Sequence, residues 1–343
     1  MSDSQTAAPP PSPQQQLMQM LAGMWVSRAI SVAARLKVAD HVGDGGRDVD
    51  DLAAATGTHA PSLYRLTRAL ASVGVFAEEG PRRFRHTPVS QLLRSGAEGS
   101  MRAVADNVFG GSHFRSWGEL EHSVRTGAIA FDRAHGTDCW AFFSQNPDEQ
   151  RTFDDAMSEF TALFNPPIVK AYDFSKFGTL VDVGGGHGVL LAAIAKANPR
   201  LRGTVYDQAH VVPGATRRFA DEGLSGRCTA IAGNFFESVP PGGDAYLMKL
   251  ILHDWDERKA ATILRNVQRA AKPGTRLLVV EMVVPPGAEP SLSKLGDINM
   301  MVMTGGRERT EAEFRQLFDA GGFDLVSVHP SEGPMSVVEG VRR

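Results

Sequence analysis

One segment, residues 180–188 with the sequence LVDVGGGHG, constrains the fold of this chain more than any other. An apolar run ends there in a cluster of glycines, and the apolar residues Leu190, Leu191 and Ile194 follow at helical spacing. The pattern predicts a strand, a tight turn and the start of a helix. Glycine permits the positive φ angles of such a turn and lets a ligand approach the backbone closely.

An acidic residue follows this turn at a distance typical of nucleotide-binding folds. Asp207 stands nineteen positions after Gly188, at the end of a second predicted strand. Rossmann-like units hold ribose hydroxyls with an acidic side chain about 20 positions beyond the glycines. The C-terminal half is therefore predicted to bind a nucleoside-type cofactor. A doubly wound domain whose glycine turn binds nothing is the alternative.

The spacing of the glycines indicates which cofactor is bound. Gly184, Gly186 and Gly188 form G-x-G-x-G instead of the G-x-G-x-x-G of dinucleotide-binding proteins. Asp182, two residues before the first of them, disfavours a dianionic pyrophosphate at this helix start. It suits a ligand with a free amino group, and S-adenosylmethionine has both that group and a ribose for Asp207.

Six motifs follow one another through the C-terminal half. They are residues 180–188, Tyr206-Asp207, residues 233–236, residues 248–255, Val280-Glu281 and residues 305–310. Together they resemble the plant-type small-molecule O-methyltransferases, of the caffeic acid and hydroxyneurosporene type, and their bacterial relatives in pigment and antibiotic pathways. The resemblance implies a class I methyltransferase fold, S-adenosylmethionine as cofactor, a hydroxylated small-molecule acceptor and a homodimer formed through the N-terminal domain.

Composition sets broad limits on the function. A length of 343 residues suggests two domains, and 42% hydrophobic with 22% charged residues is ordinary for a soluble globular protein. The formal net charge of −3 gives no reason to expect nucleic acid or an anionic membrane as a partner. Two distant cysteines, Cys139 and Cys228, form neither a disulfide framework nor a ligand pattern. Without a signal peptide or an apolar run of membrane-spanning length, a cytoplasmic location is expected.

The N-terminal region divides into a tail and a helical part. Residues 1–16, rich in Pro and Gln, are expected to be a disordered tail. A long, nearly all-apolar helix is predicted from Leu17 to about Val42, and a helix apolar around much of its girth is buried. We expect burial against a second chain; burial within its own domain is the alternative.

Residues 17–100 have a winged-helix-like pattern. Asp48 and Ser62 are predicted to cap two short helices, and strands near 75–77 and 83–86 follow as a hairpin. In isolation this pattern suggests DNA binding, but the slightly acidic chain lacks the basic stripe of a DNA reader. The resemblance implies a mainly α dimerisation domain instead.

Residues 101–175 are predicted to be a helical linker, rich in aromatic residues, that contributes to the substrate pocket. Ligand pockets favour domain interfaces and aromatic walls. Met157, Phe160 and Phe164 share one helical face and are candidates for such a wall. Plain core packing is the alternative for all three.

Residues 176–343 alternate predicted strands and helices, which specifies an α/β, Rossmann-like, doubly wound and mainly parallel sheet. The strands are expected near residues 179–183, 203–206, 228–232, 244–249, 276–282 and 323–328. Ligands bind at the carboxyl ends of such strands. Five polar residues fall at those ends: Asp182, Asp207, Asn234, Lys249 and Glu281.

His253 is the predicted general base. Methyl transfer from a sulfonium to a hydroxyl is an SN2 reaction, and a neutral hydroxyl is a poor nucleophile. A general base contributes roughly 10²–10⁴-fold to such a rate, and a histidine with its usual pKa of about 6.5 suits the task near neutral pH. A base histidine needs a partner for its second ring nitrogen, and the resemblance supplies Glu281 and Glu308. A structural or helix-capping histidine is the alternative.

The resemblance also implies which residues hold the cofactor. They are Gly184 and its neighbours, Gly186 among them, at the methionine end, Asp207 at the ribose, Asn234 and Phe235 at the adenine, and Lys249 at the edge of the cofactor; the charge of Asp182 adds that residue at the methionine end. Position 234 departs from the family, whose members commonly carry Asp there. Asparagine can still accept a hydrogen bond from the adenine amino group through its carbonyl oxygen.

Four further residues are candidates for the acceptor pocket. Asp254 directly follows His253, and Asn299, Met300 and Met303 lie together in a later segment. Methionine packs well against flat aromatic ligands, although a core helix is the alternative for the methionines. No metal site is expected, because the acidic residues are spread over strand ends instead of clustered.

Three rival functions stay open. One is an enzyme of the same fold that transfers methyl to carbon or nitrogen, or that does not methylate. The others are a nicotinamide-dependent dehydrogenase and a winged-helix regulator that binds DNA and senses a metabolite. Intact His253, Glu281 and Glu308 argue against the first, Asp182 argues against the second, and the acidic charge balance argues against the third.

Overall fold

The computed structural model describes residues 11–343, so the first ten residues of the tail expected to be disordered lie outside the described range. The chain forms two compact units, which meet in sequence at Gly111 and Ser112. The predicted division of the second unit near residue 175 stays a prediction.

The first unit is a small helical domain with a three-stranded antiparallel sheet in the order β1-β3-β2. Its described elements are α1 (Pro13–Arg35), α2 (Val38–Val42), β1 (Arg47–Asp48), α3 (Val49–Thr56), α4 (Ala60–Ser72), β2 (Phe76–Glu78), β3 (Arg83–His86), α5 (Pro88–Gln91) and α6 (Arg102–Asn107). Helices α3 and α4 followed by the β2–β3 hairpin give the predicted winged-helix order. Leu52, Leu70, Phe76 and Phe84 are among the side chains that form its core.

The two predicted helix caps in this unit have different outcomes. Asp48 caps α3 as predicted, because its carboxylate accepts a hydrogen bond of 2.8 Å from the backbone N–H of Asp50. The prediction for Ser62 is wrong. Helix α4 already begins at Ala60, with His59 at the cap position, since Pro61 fits the first turn of a helix, where no N–H donor is needed.

The predicted long helix from Leu17 to Val42 is also corrected. A capping box formed by Ser12 and Gln15 starts α1 at Pro13, so residues 13–16 are helical instead of a disordered tail. The helix ends at Arg35, because Lys37 adopts a left-handed conformation with φ of 53° and separates α1 from α2.

The first half of α1 exposes most of its apolar side chains. We call six of them, each between 58% and 76% exposed, the α1 apolar face: Leu17, Met18, Met20, Leu21, Met24 and Trp25. Only the second half of the helix is packed, where Ala33 and Ala34 are buried. Burial of the whole helix within its own domain is therefore excluded. Among residues 11–343, α1 is also the one helix whose length and composition would allow it to cross a membrane.

The second unit places a group of helices before an α/β domain. The helices are α7 (Gly111–Trp117), α8 (Leu120–Thr126), α9 (Ala130–His135), α10 (Cys139–Gln145) and α11 (Pro147–Ala171). The α/β domain contains β4 (Thr179–Val183), α12 (Val189–Ala197), β5 (Arg202–Asp207), α13 (Val212–Asp221), β6 (Cys228–Ala232), β7 (Ala245–Lys249), α14 (Glu257–Ala270), β8 (Arg276–Glu281), α15 (Leu292–Met303), α16 (Glu311–Gly321), β9 (Phe323–Pro330) and β10 (Ser336–Arg342).

The sheet has the order β6-β5-β4-β7-β8-β10-β9, and its first five strands are parallel. Successive residues of a strand belong to different core clusters: Leu277 packs with α14 and α16, whereas Leu278 packs with α11, α12 and α13. Helices therefore cover both faces of the sheet, as its continuous apolar strands require. The predicted doubly wound, mainly parallel fold is confirmed.

Strand β10 was not predicted from the sequence. It runs antiparallel to both of its neighbours, β8 and β9. Glu339 and Gly340 interrupt its apolar pattern, and the register with β9 shifts between these two residues. A charged residue followed by glycine inside a strand conceals the period of two that identifies strands.

Candidate active site

The carboxyl ends of the parallel strands bring the predicted polar residues to one edge of the sheet. Asp182 is the fourth of five residues in β4, while Asp207, Lys249 and Glu281 are the last residues of β5, β7 and β8. These four strands are neighbours in the order β5-β4-β7-β8. Asn234 follows the end of β6 by two residues. We call this the cofactor edge of the sheet.

The glycine turn is held close to this edge. Gly184 and Gly186 have φ angles of 72° and 56°, which side chains other than glycine rarely adopt. A Cβ atom at Gly184 would lie 2.4 Å from Ile251 Cδ1, so the approach is also too close for a side chain. The backbone N–H of Gly186 donates to Asp207 Oδ2 at 2.8 Å, and that of Gln208 donates to Asp207 Oδ1 at 2.7 Å. Asp207 therefore links the glycine turn to the end of β5.

Asp182 carries a buried carboxylate with unused hydrogen-bonding capacity. The residue is 1% exposed, and neither carboxylate oxygen has a hydrogen-bond partner among the described residues. Burial raises its pKa to about 7. Lys249 is close enough to be attracted by it, yet Lys249 Nζ donates its hydrogen bond to Thr161 Oγ1 at 2.8 Å. An unsatisfied buried carboxylate is costly, so this position fits the positively charged group of a ligand.

Asn234 and Phe235 form the turn that follows β6. Asn234 Oδ1 accepts a bond of 3.0 Å from the N–H of Phe236, and Asn234 Nδ2 donates to Glu237 Oε1 at 3.0 Å. The ring of Phe235 packs against Phe236 and Trp255, with centroids 4.9 and 6.4 Å apart. These rings form an apolar surface beside the glycine turn, since a Cβ atom at Gly184 would lie 3.7 Å from Phe235 Cε1.

His253 lies buried in a short 3-10 turn, Leu252–Asp254, that follows β7. Its ring Nδ1 lies 2.8 Å from Glu308 Oε1. Its backbone N–H donates to Glu281 Oε1 at 3.1 Å. The two acids predicted to orient His253 thus contact it in different ways, Glu308 at the ring and Glu281 at the backbone.

The charges around His253 favour its protonated form. Burial alone would lower the pKa of His253, but the surrounding carboxylates, above all Asp254 and Glu308, raise it to about 10. Asp254 Oδ1 is 3.7 Å from His253 Nε2, and burial raises the pKa of Asp254 to about 6. Within residues 11–343, no group of three His, Cys, Asp or Glu side chains could hold a metal ion.

Arg309 lies in the motif of residues 305–310, but the sequence predicted no role for it. Its side chain is fully buried and donates to the backbone oxygens of Leu252 at 3.0 Å and Trp255 at 3.2 Å. It also pairs with Glu257 at 3.1 Å. Arg309 therefore fastens both ends of the turn that carries His253. The one indication in the sequence was its position directly after Glu308, which was predicted to orient His253.

The acceptor-pocket candidates occupy two helices. On α11, Met157, Phe160 and Phe164 are half-buried, and the rings of the last two stack with centroids 5.8 Å apart. On α15, Asn299 Oδ1 accepts a bond of 2.9 Å from Trp117 Nε1.

The two methionines of α15 differ in burial. Met300 is half-buried. Met303 is 4% exposed and belongs to a core cluster with Val302, Phe131 and Phe143. Met303 thus fits the core alternative better than a pocket wall.

The sequence matches two family models, one for each unit. Residues 117–324 match the O-methyltransferase domain, and residues 18–96 match the O-methyltransferase dimerisation domain. The chain belongs to the O-methyltransferase family. The predicted family, its class I methyltransferase fold and its cofactor, S-adenosylmethionine, are confirmed.

Known relatives are similar over almost their whole length. The chain is 43% identical over 323 residues to the phenazine O-methyltransferase PhzM of Lysobacter antibioticus, covering 94% of each protein. The crystal structure of LaPhzM superposes with a TM-score of 0.94 at 41% identity, covering 97% of this chain and 100% of that one. The O-methyltransferase NcsB1 from neocarzinostatin biosynthesis, in complex with S-adenosylmethionine and 2-hydroxy-5-methyl naphthoic acid, has a TM-score of 0.84 at 36% identity, covering 98% and 100%.

Proposed function

We propose that this enzyme transfers a methyl group from S-adenosylmethionine to a hydroxyl of a small aromatic acceptor, with His253 as the general base. The family supplies the reaction class and the cofactor. The role of His253 rests on one observation, the 2.8 Å contact of its Nδ1 with Glu308. A histidine held through Nδ1 keeps Nε2 for the proton of a substrate.

The residues of the cofactor edge fit S-adenosylmethionine, which supplies an activated methyl group on a sulfonium when bound. The buried Asp182 carboxylate would accept a hydrogen bond from its α-ammonium group, beside Gly184 and Gly186. Asp207 accepts hydrogen bonds from the ribose hydroxyls, because each carboxylate oxygen has capacity beyond its one backbone bond. These roles are supported by the close approach that the glycines permit and by the Asp182 carboxylate, which no described residue bonds.

The adenine end is assigned to the turn after β6. The ring of Phe235 offers an apolar surface, and Asn234 Oδ1 can accept a bond from the adenine amino group in addition to the bond that it already accepts. Lys249 would lie at the edge of the bound cofactor, because it ends β7 beside Asp182 of the neighbouring strand β4. Asparagine at position 234 is neutral, so this contact is weaker than an aspartate would make it.

The proton of the acceptor moves to His253 Nε2 while the methyl group is transferred to the oxygen. The imidazolium that forms is stabilised through Nδ1 by Glu308, and Glu281 fixes the backbone of His253. Because the carboxylates raise the pKa of His253, the neutral base becomes more abundant as the pH rises toward that pKa. Asp254, beside Nε2, is positioned to contact the acceptor.

The acceptor is proposed to be a hydroxylated aromatic natural product. Relatives at 43% and 36% identity are named for phenazine methylation and carry a hydroxynaphthoic acid, respectively. The half-buried Met157, Phe160, Phe164 and Met300 suit a flat, fused-ring ligand of this kind. Asn299 is the candidate for a polar contact with the acceptor, through the side-chain amide group whose oxygen also accepts a bond from Trp117.

We assign the α1 apolar face to a homodimer interface. Exposed apolar patches of this extent are usually covered, and residues 18–96 match a dimerisation domain. This assignment favours a cytoplasmic dimer over a membrane anchor. Purified protein that runs as a dimer without detergent would support it, whereas a monomer or a detergent-dependent protein would contradict it.

Ion pairs within the winged-helix-like unit argue against DNA binding, because they occupy arginines that DNA would need. Arg82 pairs with Asp50 at 2.6 Å, and Arg85 pairs with Glu79 at 2.9 Å. These positive charges on the hairpin are partly neutralised within the unit itself. A gel-shift at low salt should show no complex with duplex DNA.

Calorimetric titration with S-adenosylhomocysteine, using NAD as the control ligand, tests the cofactor site. Labelled donor and a panel of hydroxyphenazines and hydroxynaphthoic acids then test the acceptor class, with His253→Ala as the inactive control. An O-methylated product that depends on His253 supports the proposal. Folded protein that binds neither ligand would overturn it, and a product methylated at nitrogen or carbon would favour the same-fold rival.

A further inference from the structure

One hydrogen bond ties the helix that carries three acceptor-pocket candidates to the cofactor edge. Lys249 Nζ, at the end of β7, donates to Thr161 Oγ1 on α11 at 2.8 Å. Thr161 directly follows Phe160 and precedes Phe164 by three positions, so it lies beside the stacked pair of rings. A change at the cofactor edge can therefore reach the pocket wall through a single contact.

The hydroxyl of Thr161 is used differently from that of another threonine on the same helix. Thr152 Oγ1 donates to the backbone oxygen of Asp148 at 3.0 Å, the usual local bond of a helical threonine. Thr161 instead receives a hydrogen bond from a different element of the fold. Thr152 thus provides a matched control on the same helix.

Helix α11 is weakened immediately beyond Thr161. Pro166 and Pro167 lie inside the helix and have no N–H, so the carbonyl groups four residues earlier lose their helical partners. Past the prolines the chain is well anchored, because Ile168 is fully buried and Tyr172 donates to Glu339 at 2.9 Å. The part of α11 before the prolines depends on contacts with other elements for its position.

We propose that Thr161 is a positioning residue that makes the order of the acceptor wall depend on the cofactor. Without a ligand, the Asp182 carboxylate attracts the charge of Lys249, while the hydrogen bond of Lys249 Nζ goes to Thr161. A ligand ammonium group at Asp182 neutralises the carboxylate, so Lys249 is no longer pulled toward Asp182. Its ammonium group then interacts with the hydroxyl of Thr161 alone. Cofactor binding thereby strengthens the tether on α11 and fixes Phe160 and Phe164 before the acceptor arrives. This inference rests on the proposed function of the site.

Hydrogen–deuterium exchange with and without saturating S-adenosylhomocysteine tests this coupling, because it needs no acceptor. In the wild-type enzyme, the ligand should slow exchange of the backbone amides in residues 148–165. Thr161→Val keeps the shape but not the hydroxyl, and it should reduce that protection about fivefold, the ratio that corresponds to one hydrogen bond of about 1 kcal/mol. Thr161→Ser and the control Thr152→Val should retain the protection.

The outcomes separate this inference from the function on which it rests. Failure of the wild-type enzyme to bind S-adenosylhomocysteine would overturn the proposed function. Binding that leaves the exchange of residues 148–165 unchanged, or equal protection in Thr161→Val and wild type, would overturn the role of Thr161 alone. If Thr161→Val does not fold, Thr161→Ala replaces it. With an acceptor from the panel, loss of the hydroxyl should raise KM for the acceptor more than it lowers kcat, and Thr161→Ser should restore both.

Discussion

Two regions of this protein depart from the usual pattern of burial in opposite directions. At the cofactor edge, the Asp182 carboxylate is buried and has no hydrogen-bond partner among residues 11–343. On α1, six large apolar side chains are exposed to solvent. Buried polar groups are normally satisfied, and large apolar patches are normally covered. Each departure therefore identifies a binding region, for a small charged ligand in the first case and for a second chain in the second.

The two regions differ in how much each residue matters. The cofactor edge and the turn of His253 consist of single polar groups held by specific hydrogen bonds. Substitution of one such group should therefore be enough to remove a binding contact or a catalytic step. The α1 apolar face acts through area, so its effect should be shared among several side chains. Substitutions in the two regions should therefore change different measured properties.

The largest effect is expected from His253→Ala. Turnover should fall by roughly 10²–10⁴-fold, the usual contribution of a general base. The dissociation constant for S-adenosylhomocysteine and the oligomeric state should stay unchanged. The His253 side chain contacts Glu308 and Asp254, and neither belongs to the cofactor edge or to the α1 apolar face. Steady-state kinetics and calorimetry on the same preparation measure both quantities. Unchanged turnover would refute the role of His253.

Glu308→Gln should lower turnover less and should also move its pH dependence. The Glu308 carboxylate helps to raise the pKa of His253, so the neutral base forms only as the pH increases toward about 10. Loss of this charge lowers the pKa of His253, and the rising limb of kcat/KM should shift to lower pH. Glu311→Gln, on the exposed start of α16, is the control. A shift to higher pH would contradict this electrostatic account.

Trp25→Glu on the α1 apolar face should weaken the dimer without affecting the fold of the unit. A buried tryptophan at an interface contributes about 2 kcal/mol or more, so the dimer dissociation constant should rise at least roughly thirtyfold. Analytical ultracentrifugation measures this constant, with Gln19→Glu on the same helix as the control. A dimer of undiminished stability would place the interface elsewhere.

Asp182→Asn should have two smaller effects of opposite sign. Affinity for S-adenosylhomocysteine should fall by about 1–3 kcal/mol, because a charged hydrogen bond is lost. The free energy of unfolding without ligand should rise, because a buried charge is removed.

The sign of this stability effect follows from the pKa of Asp182. Burial raises that pKa from 3.8 to about 7, so the wild-type fold loses stability as the pH rises through that interval, where the unfolded chain ionises first. The gain in melting temperature should therefore be larger at pH 8 than at pH 5. Thermal melts at both pH values, with and without ligand, test this. A variant less stable than wild type at pH 8 would contradict it.

Local patterns were sufficient to predict much of this structure. The glycine turn, the parallel strands and the strand-end residues follow from periodicities that a few neighbouring residues determine. The break at Lys37 and the early start of α4 depend on turn geometry and on Pro61, and sequence spacing did not reveal them.

What the sequence could not predict depends on contacts between distant residues. The buried Arg309 reaches back more than fifty positions to Leu252 and Trp255. The different contacts of Glu281 and Glu308 with His253 arise in the same way. The hydrogen bond between Thr161 and Lys249 joins residues 88 positions apart, and no pattern in either segment indicates it.

The position of β10 has a consequence for how the sheet is completed. In the sheet it lies between β8 and β9, although it follows both in the chain. Strand β9 therefore cannot join the sheet until residues 336–342 have folded back beside β8. Without those residues, β8 and β9 would both keep an unpaired edge, and unpaired strand edges promote aggregation. A variant that ends at residue 335 should thus be recovered mainly as aggregate.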